Sequence, residues 1–170
     1  MDFKDLVRAR YSARAYLDRP VEPQKLDLVL EAARLAPTAA NRQPFRLVVV
    51  SDPQIRADMK AAYHRRWFYT APLIVAACGV PSENWVRCDG KNYNDVDVAI
   101  VMDYLTLQAA DIGLGTCWIA DFDPDAVRDI LHLPADLEPV ALTPLGYSAD
   151  EPKAKQRKPL DRLVVHNRFS

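Results

Sequence analysis

Within "RARYSARAY", residues 8–16, Arg8, Arg10 and Arg14 crowd around Ser12 in a chain whose formal net charge is only −1. A guanidinium is a planar fork of five donors that matches phosphate and carboxylate oxygens, so the cluster is a candidate anion site. Arg8 and Arg10 have a local explanation as well. Asp2 to Arg10 reads as a short helix with Phe3, Leu6, Val7 and Arg10 on one face, and cations in a last turn are favoured by the helix dipole. Arg14 lies beyond that helix. Tyr11 to Leu17 alternates without helical period, which points Arg10, Ser12 and Arg14 the same way. At about 3.3 Å per residue the two arginines stand roughly 13 Å apart, a span suited to both ends of a mononucleotide-sized ligand.

The chain has only five glycines and neither a GxGxxG nor a Walker loop, so any phosphate must be held by side chains rather than by backbone amides. Lys155 and Arg157, in the basic run "KAKQRK", share a face if that segment is extended and form a second candidate cluster. "APTAANRQPF", residues 36–45, presents Thr38, Asn41 and Gln43 from a loop stiffened by two prolines, immediately before an apolar strand. "GLGTCWIADF", residues 113–122, uses small residues that let the backbone of a core strand approach whatever lies beside it. Other chemistries lack their motifs. There is no GxSxG elbow and no HExxH, and His64, His132 and His166 are scattered. Asp89, Asp95 and Asp97 lack the EF-hand ligand series, and Asp95 and Asp97 read as acids at a helix N-terminus. No metal site and no catalytic side chain is assigned.

These groups must be positioned by a fold of 170 residues, enough for one domain spanning 1–170 with a sizeable core. After the first helix, Pro23 opens a second, with Leu26, Val29, Leu30 and Ala33 on its apolar face, and Pro37 stops it. "FRLVVVS" predicts a buried strand, and Asp52–Pro53 and Asp123–Pro124 each predict a capped helix start. Further strands are expected at 73–78, in "GTCWIA" and near "PVALTPLGY". Between them run an irregular stretch, 81–94, and a long helix from about Asp95 to Ile112 ending at Gly113. That helix is apolar nearly all round, which implies burial in the domain or against a second subunit. Helices alternating with strands make the chain α/β or α+β with a helix-covered sheet. Nearly balanced charge argues against general nucleic-acid binding, and no run approaches the roughly 18 apolar residues of a membrane span. No signal-peptide pattern opens the chain, and three cysteines without CxxC spacing fit a reduced, cytoplasmic protein.

The order "RYSAR", "APTAANRQPF", "GLGTCWIADF", "KQR" resembles the FMN-dependent nitroreductase family, particularly its shorter members, from the first helix almost to the C-terminus. The resemblance implies an α+β fold with a central, mostly antiparallel sheet covered by helices, in an intimate homodimer with two FMN sites at the interface. It implies that Arg10, Ser12 and Arg14 bind the FMN phosphate, ribityl chain and ring edge with Tyr11 contributing, and that Lys155 and Arg157 complete the phosphate site. Pro37, Thr38, Ala39 and Asn41, supported by Gln43, would reach the flavin from the partner subunit. Trp118, Ile119 and Ala120 would lie beside the ring, with a backbone N–H toward flavin N5, and the helix 95–112 would be the dimer helix. The implied activity is reduction of FMN by NAD(P)H and then of an electron-poor acceptor, such as a nitroaromatic or a quinone, by a ping-pong mechanism. Two departures stand out: Ala120 occupies a position where larger members often carry glutamate, and 81–94 matches nothing in the family pattern. The alternatives are a divergent member with other flavin chemistry, such as dehalogenation or flavin breakdown, and a flavin-binding dimer without turnover. Finally, "LVV" at 163–165 is too short to make a core, so it should pair with a sheet edge or stay disordered, and the resemblance suggests that this end crosses to the partner.

Overall fold

A computed structural model of the chain describes residues 1–169. The helix α1 (Phe3–Ala9) opens on Asp2, whose carboxylate accepts the Asp5 amide, and α2 (Pro23–Arg34) opens on Pro23. Strand β1 (Phe45–Val50) follows, then the short helices α3 (Pro53–Asp58) and α4 (Arg66–Tyr69) and strand β2 (Leu73–Gly79). The long α5 (Asn94–Asp111), a two-residue strand β3 (Gly115–Thr116), α6 (Pro124–Leu131) and β4 (Glu138–Gly146) follow. Both Asp-Pro starts form as the sequence predicts. Asp52 accepts the amides of Gln54 and Ile55, and Asp123 those of Asp125 and Ala126, so each helix has two of its free N-terminal donors satisfied. The long helix stops at Gly113, whose φ of +79° lets the Leu114 amide turn back to the Ala109 carbonyl at 2.8 Å.

The sheet runs β1-β2-β4-β3 with every neighbouring pair antiparallel. All of β2 is buried because both its faces are covered, which is why "LIVAACG" carries no polar alternation. Val75 and Ala77 point into a core shared with Val29 of α2 and Val101 and Leu105 of α5. Ile74 and Ala76 point into a second core with Met59, Phe68 and Val127. The architecture is therefore α+β, an antiparallel sheet between two helical layers. The long helix is buried on one side only. Val98, Val101, Met102 and Leu105 face the core, while Tyr104 on the outer side is 42% exposed. No helix among the described residues is long and apolar enough to cross a membrane.

Two local expectations are corrected, and a third concerns the tail. The strand foreseen in "GTCWIA" pairs continuously only at Gly115 and Thr116, because the Cys117 amide donates to the Thr143 hydroxyl instead of to a backbone carbonyl; a single bridge at Ile119–Leu142 resumes the pairing. Within this single chain, residues 163–165 pair with no sheet edge and lie exposed after a 3₁₀ turn at Leu160–Arg162, which leaves the expected crossing to a partner open. The stretch 81–94 is not wholly irregular. Within it, a Val86–Asn92 bridge, a turn at Gly90 (φ +86°) and an edge-to-face contact of Trp85 with Tyr93 at 5.1 Å close a small hairpin.

A polar ring ties the start of α2 to the end of β4. The Tyr147 hydroxyl donates to Glu22 at 2.6 Å, Lys25 donates to Tyr147 and to the Ile112 carbonyl, and Arg19 pairs with Glu22 at 2.9 Å. The Tyr147 hydroxyl, followed by a backbone amide and Arg19, holds the Glu22 carboxyl down at about 2 against an ordinary 4.5. A depressed carboxyl contributes stability above its ordinary range and loses it as pH falls through its folded value. Glu22→Gln is thus expected to melt below the wild type near neutral pH, with the two proteins converging as pH falls from about 4.5 toward about 2, measured as melting temperature against pH.

Candidate functional site

Two-residue alternation builds the site. The Ala13 amide donates to the Thr116 carbonyl at 2.9 Å, and Ser12 bridges to Thr116, so the segment after α1 lies alongside β3. Ala13 is fully buried there, and Gly115 permits it: a Cβ on that glycine would stand 2.8 Å from the Ala13 Cβ. With Ala13 pointing inward, Ser12 and Arg14 are turned outward. The Leu17 amide to Tyr147 and the Ala149 amide to Ala15 extend the attachment toward the end of β4.

The residues after β4 are then fixed beside this segment. Tyr11 donates its hydroxyl to the Asp150 carbonyl at 2.6 Å, and the Arg14 amide donates to the Asp150 carboxylate at 2.8 Å. The chain returns across the end of α1, where Lys155 donates to the Val7 and Arg8 carbonyls. A cleft of about 310 Å³ results, lined by Arg10, Tyr11, Ser12 and Arg14 on one side and by residues 150, 151 and 153–157 on the other. The two basic clusters, far apart in sequence, are brought together. None of Arg10, Arg14, Lys155 and Arg157 is ion-paired among the described residues. Loss of water, and then the Arg10 and Arg157 charges, push the Lys155 ammonium below the usual lysine range. Five cations, Arg10, Arg14, Lys153, Lys155 and Arg157, outnumber the two carboxylates of the cleft, Asp150 and Glu151, and an oxyanion would relieve that excess of positive charge.

A second cleft, of about 630 Å³, shares Arg10 and Ser12 with the first and is walled by Val7, Ala99, Thr106, Leu107 and Trp118, with Asp103 also lining it. Arg10 and Ser12 thus stand between a cationic recess and a mainly apolar one. The lining of this pair of clefts has the chemistry to take a ligand with an anionic group at one end and a partly apolar body at the other. Beneath them lies the Cys117 thiol. Burial raises it above the usual cysteine range, against the opposing influence of Arg14, Ser12 and Arg10, so it stays protonated.

Not every candidate residue converges here. Ile119 and Ala120 line neither cleft, and the Ile119 amide already donates to the Leu142 carbonyl at 2.9 Å. Pro37, Thr38, Ala39, Asn41 and Gln43 line neither cleft either. Their loop is held at the N-terminal end of α5, where the Ala39 amide donates to Asp97 at 2.8 Å. From Asp97 to the cleft-lining Asp103 and Thr106 is about 9–14 Å along the helix axis. Two residues that sequence reasoning did not assign have clear roles: Asp150 anchors the returning chain, and Asp97 anchors the loop. For Asp97 the only signal was an acid in a first helical turn, which already had a local explanation.

A family model described as the nitroreductase family matches the chain over residues 7–72 and 60–147. The chain is 32% identical to a protein of Thermus thermophilus named NADH dehydrogenase, with 97% of this chain and 96% of that one covered. A crystal structure of a nitroreductase family protein from Clostridium difficile superposes with a TM-score of 0.92 at 39% identity, covering 99% of this chain and 100% of that one. An FMN-dependent nitroreductase from the same organism gives a TM-score of 0.83 at 29% identity, over 96% and 98% of the two chains. These agree with the antiparallel α+β core found here, and the chain belongs to the nitroreductase family.

Proposed function

We propose that this chain is an FMN-dependent oxidoreductase that takes electrons from NAD(P)H and passes them to a small electron-poor acceptor, acting as a homodimer. The observation that carries the reading is the set of cations without ion-pair partners among the described residues, Arg10, Arg14, Lys155 and Arg157, lining one cleft that shares Arg10 and Ser12 with a second, partly apolar cleft. That donor set fits a phosphate held by side chains, and the adjoining recess, with Trp118 in its wall, fits a flavin ring. The names of the relatives, NADH dehydrogenase and FMN-dependent nitroreductase, support the same chemistry.

Bound FMN would supply reversible two-electron chemistry, with a nicotinamide and then a nitroaromatic or quinone visiting the same face in turn. The protein's part is binding, orientation and charge. Lys155, Arg157 and Arg10 would hold the phosphate, and Ser12 the polar chain between the clefts. Arg14 would place a positive charge at the ring edge where reduction builds negative charge, favouring the reduced state. A backbone N–H from the Trp118–Ala120 segment would face N5. With the Ile119 amide bound to Leu142, that donor is assigned to Trp118 or Ala120, and a backbone donor does not need the glutamate side chain that Ala120 lacks. Thr38 and Asn41, with Pro37, Ala39 and Gln43 shaping their loop, would come from the partner subunit, because in their own subunit they line neither cleft.

Exposed apolar surface supports the dimer. Phe3 is 71% exposed and Val7 and Tyr104 stand beside it on the α1 and α5 surface, while the tail carries Leu160, Leu163, Val164, Val165 and Phe169 without covering them. With Cys78 and Cys117 buried as free thiols, we place the protein in a reducing, cytoplasmic setting. Anaerobic addition of NADH or NADPH to protein loaded with FMN tests the reading. Bleaching near 450 nm, roughly where oxidised flavins absorb, is the expected result; a yellow protein that never bleaches, or one that takes up no FMN, overturns it.

A further inference from the structure

Asp97 is 1% exposed, in the first turn of α5, and its two oxygens differ sharply. Oδ1 accepts the Ala39 amide at 2.8 Å, whereas Oδ2 has no hydrogen-bond partner among the described residues. A half-satisfied buried carboxylate is costly, and an apolar side chain could fill the same volume without that cost. What the carboxylate does accomplish is local to one loop. From Thr38 to Gln43, three side-chain-bearing residues have left-handed backbone: Ala40 (φ +52°), Asn41 (φ +54°) and Gln43 (φ +53°). L-residues rarely adopt that conformation, and it persists only where surrounding contacts impose it. Inside the loop, the Gln43 amide donates to the Thr38 hydroxyl at 3.0 Å and the Gln43 side chain donates to the Asn41 carbonyl at 3.1 Å. The Asp97 carboxylate fastens this internally braced unit to the rigid long helix.

We propose that Asp97 is a positioning residue for the flavin site: by holding the Ala39 amide it fixes the left-handed loop 38–43 in the shape that presents Thr38 and Asn41 to the cofactor of the neighbouring subunit. The inference rests on the flavin reading above and adds to it the group that sets the loop. Asp97 touches neither cleft; it acts through the loop alone.

Two measurements on each of four full-length variants test it: FMN titration, and amide hydrogen exchange at residues 39–43 of FMN-free protein. Asp97→Ala should bind FMN about tenfold more weakly or worse, as expected for loss of a hydrogen bond to a charged group, and its loop amides should exchange about tenfold faster. Asp97→Asn retains an acceptor oxygen for Ala39 and should stay within about threefold of wild type in both. Val127→Ala destabilises the other core and should change neither measurement. Ala39→Pro deletes the same hydrogen bond from the loop side and keeps the test alive if Asp97→Ala fails to fold; Thr38, at φ −131° and ψ 158°, already has the conformation required before proline. It should weaken FMN binding by a similar factor. Wild-type affinity in folded Asp97→Ala or in Ala39→Pro, or an equal loss in Val127→Ala, overturns the role of Asp97. A wild-type protein that binds no FMN overturns the flavin reading itself.

Discussion

A chain ending at Pro152 is expected to lose FMN binding by about two to four orders of magnitude and to sediment as a monomer. The first effect follows from the cleft, because truncation removes Lys155 and Arg157 together with Lys153, most of the wall facing Arg10 and Arg14. Two charged contacts to phosphate, each contributing about 1.5–3 kcal/mol, correspond to roughly 10²–10⁴ in affinity. The second follows from the surface. Residues 151–169 are exposed throughout, with Leu160 75% and Phe169 87% accessible, so the tail gives little to the core of its own protomer and its apolar side chains are free to pack on another. The truncated protomer should therefore remain folded. Lys155→Ala combined with Arg157→Ala separates the two effects, since it should weaken FMN binding to a similar extent while the dimer persists. Lys155 adds one local consequence, for it also closes the C-terminal end of α1 through the Val7 and Arg8 carbonyls, and its loss should fray that helix. Sedimentation and flavin titration decide the matter. A truncated protein that stays dimeric and binds FMN as the full chain does would reduce the tail to a solvated end.

Much of the fold is legible where the determining physics is local. The Asp52 and Asp123 caps, the prolines that follow them and the glycine stop of α5 each act within a few residues, and each is found as read. The all-apolar β2 run signals a central strand because neither of its faces meets water. The outcome is different where a partner remote in sequence decides. "GTCWIA" has strand composition, yet the Thr143 hydroxyl, 26 positions from Cys117, captures the amide that a continuous ladder would use. At the site, residue types were readable but their assembly was not. Periodicity points Arg10, Ser12 and Arg14 the same way, but the contacts that bring the tail to them run through Asp150, an acid in "SADEP" with no distinguishing pattern. Here the resemblance to a family carried what periodicity could not. Asp97 shows the opposite failure, a residue whose ordinary local explanation was sufficient and hid its contact with a loop 58 positions away.

A mixed dimer gives the sharpest test of how the sites are divided between subunits. One subunit carries Thr38→Ala with Asn41→Ala, damaging only the loop; the other carries Arg10→Ala with Arg14→Ala, damaging only the cationic wall. Either homodimer has a lesion in both sites. Loss of two guanidinium contacts should weaken FMN binding by about 10² or more, and loss of two neutral contacts by about tenfold, since neutral hydrogen bonds contribute roughly 0.5–1.5 kcal/mol each. If each site combines the cationic wall of one subunit with the loop of the other, the mixed dimer gathers both lesions into one site and leaves the second intact. Such a dimer, isolated through two different affinity tags, should bind one FMN with wild-type affinity and recover about half the turnover of the wild type. If each site were built within one chain, both sites would stay damaged and no tight binding would return. The geometry favours the first outcome. The loop is fastened to the N-terminal end of α5 through Asp97, while the wall lies against the end of α1 and the segment along β3, and within one protomer the loop residues line neither cleft. Failure to recover a single intact site would overturn the shared-site reading and with it the role proposed for Asp97.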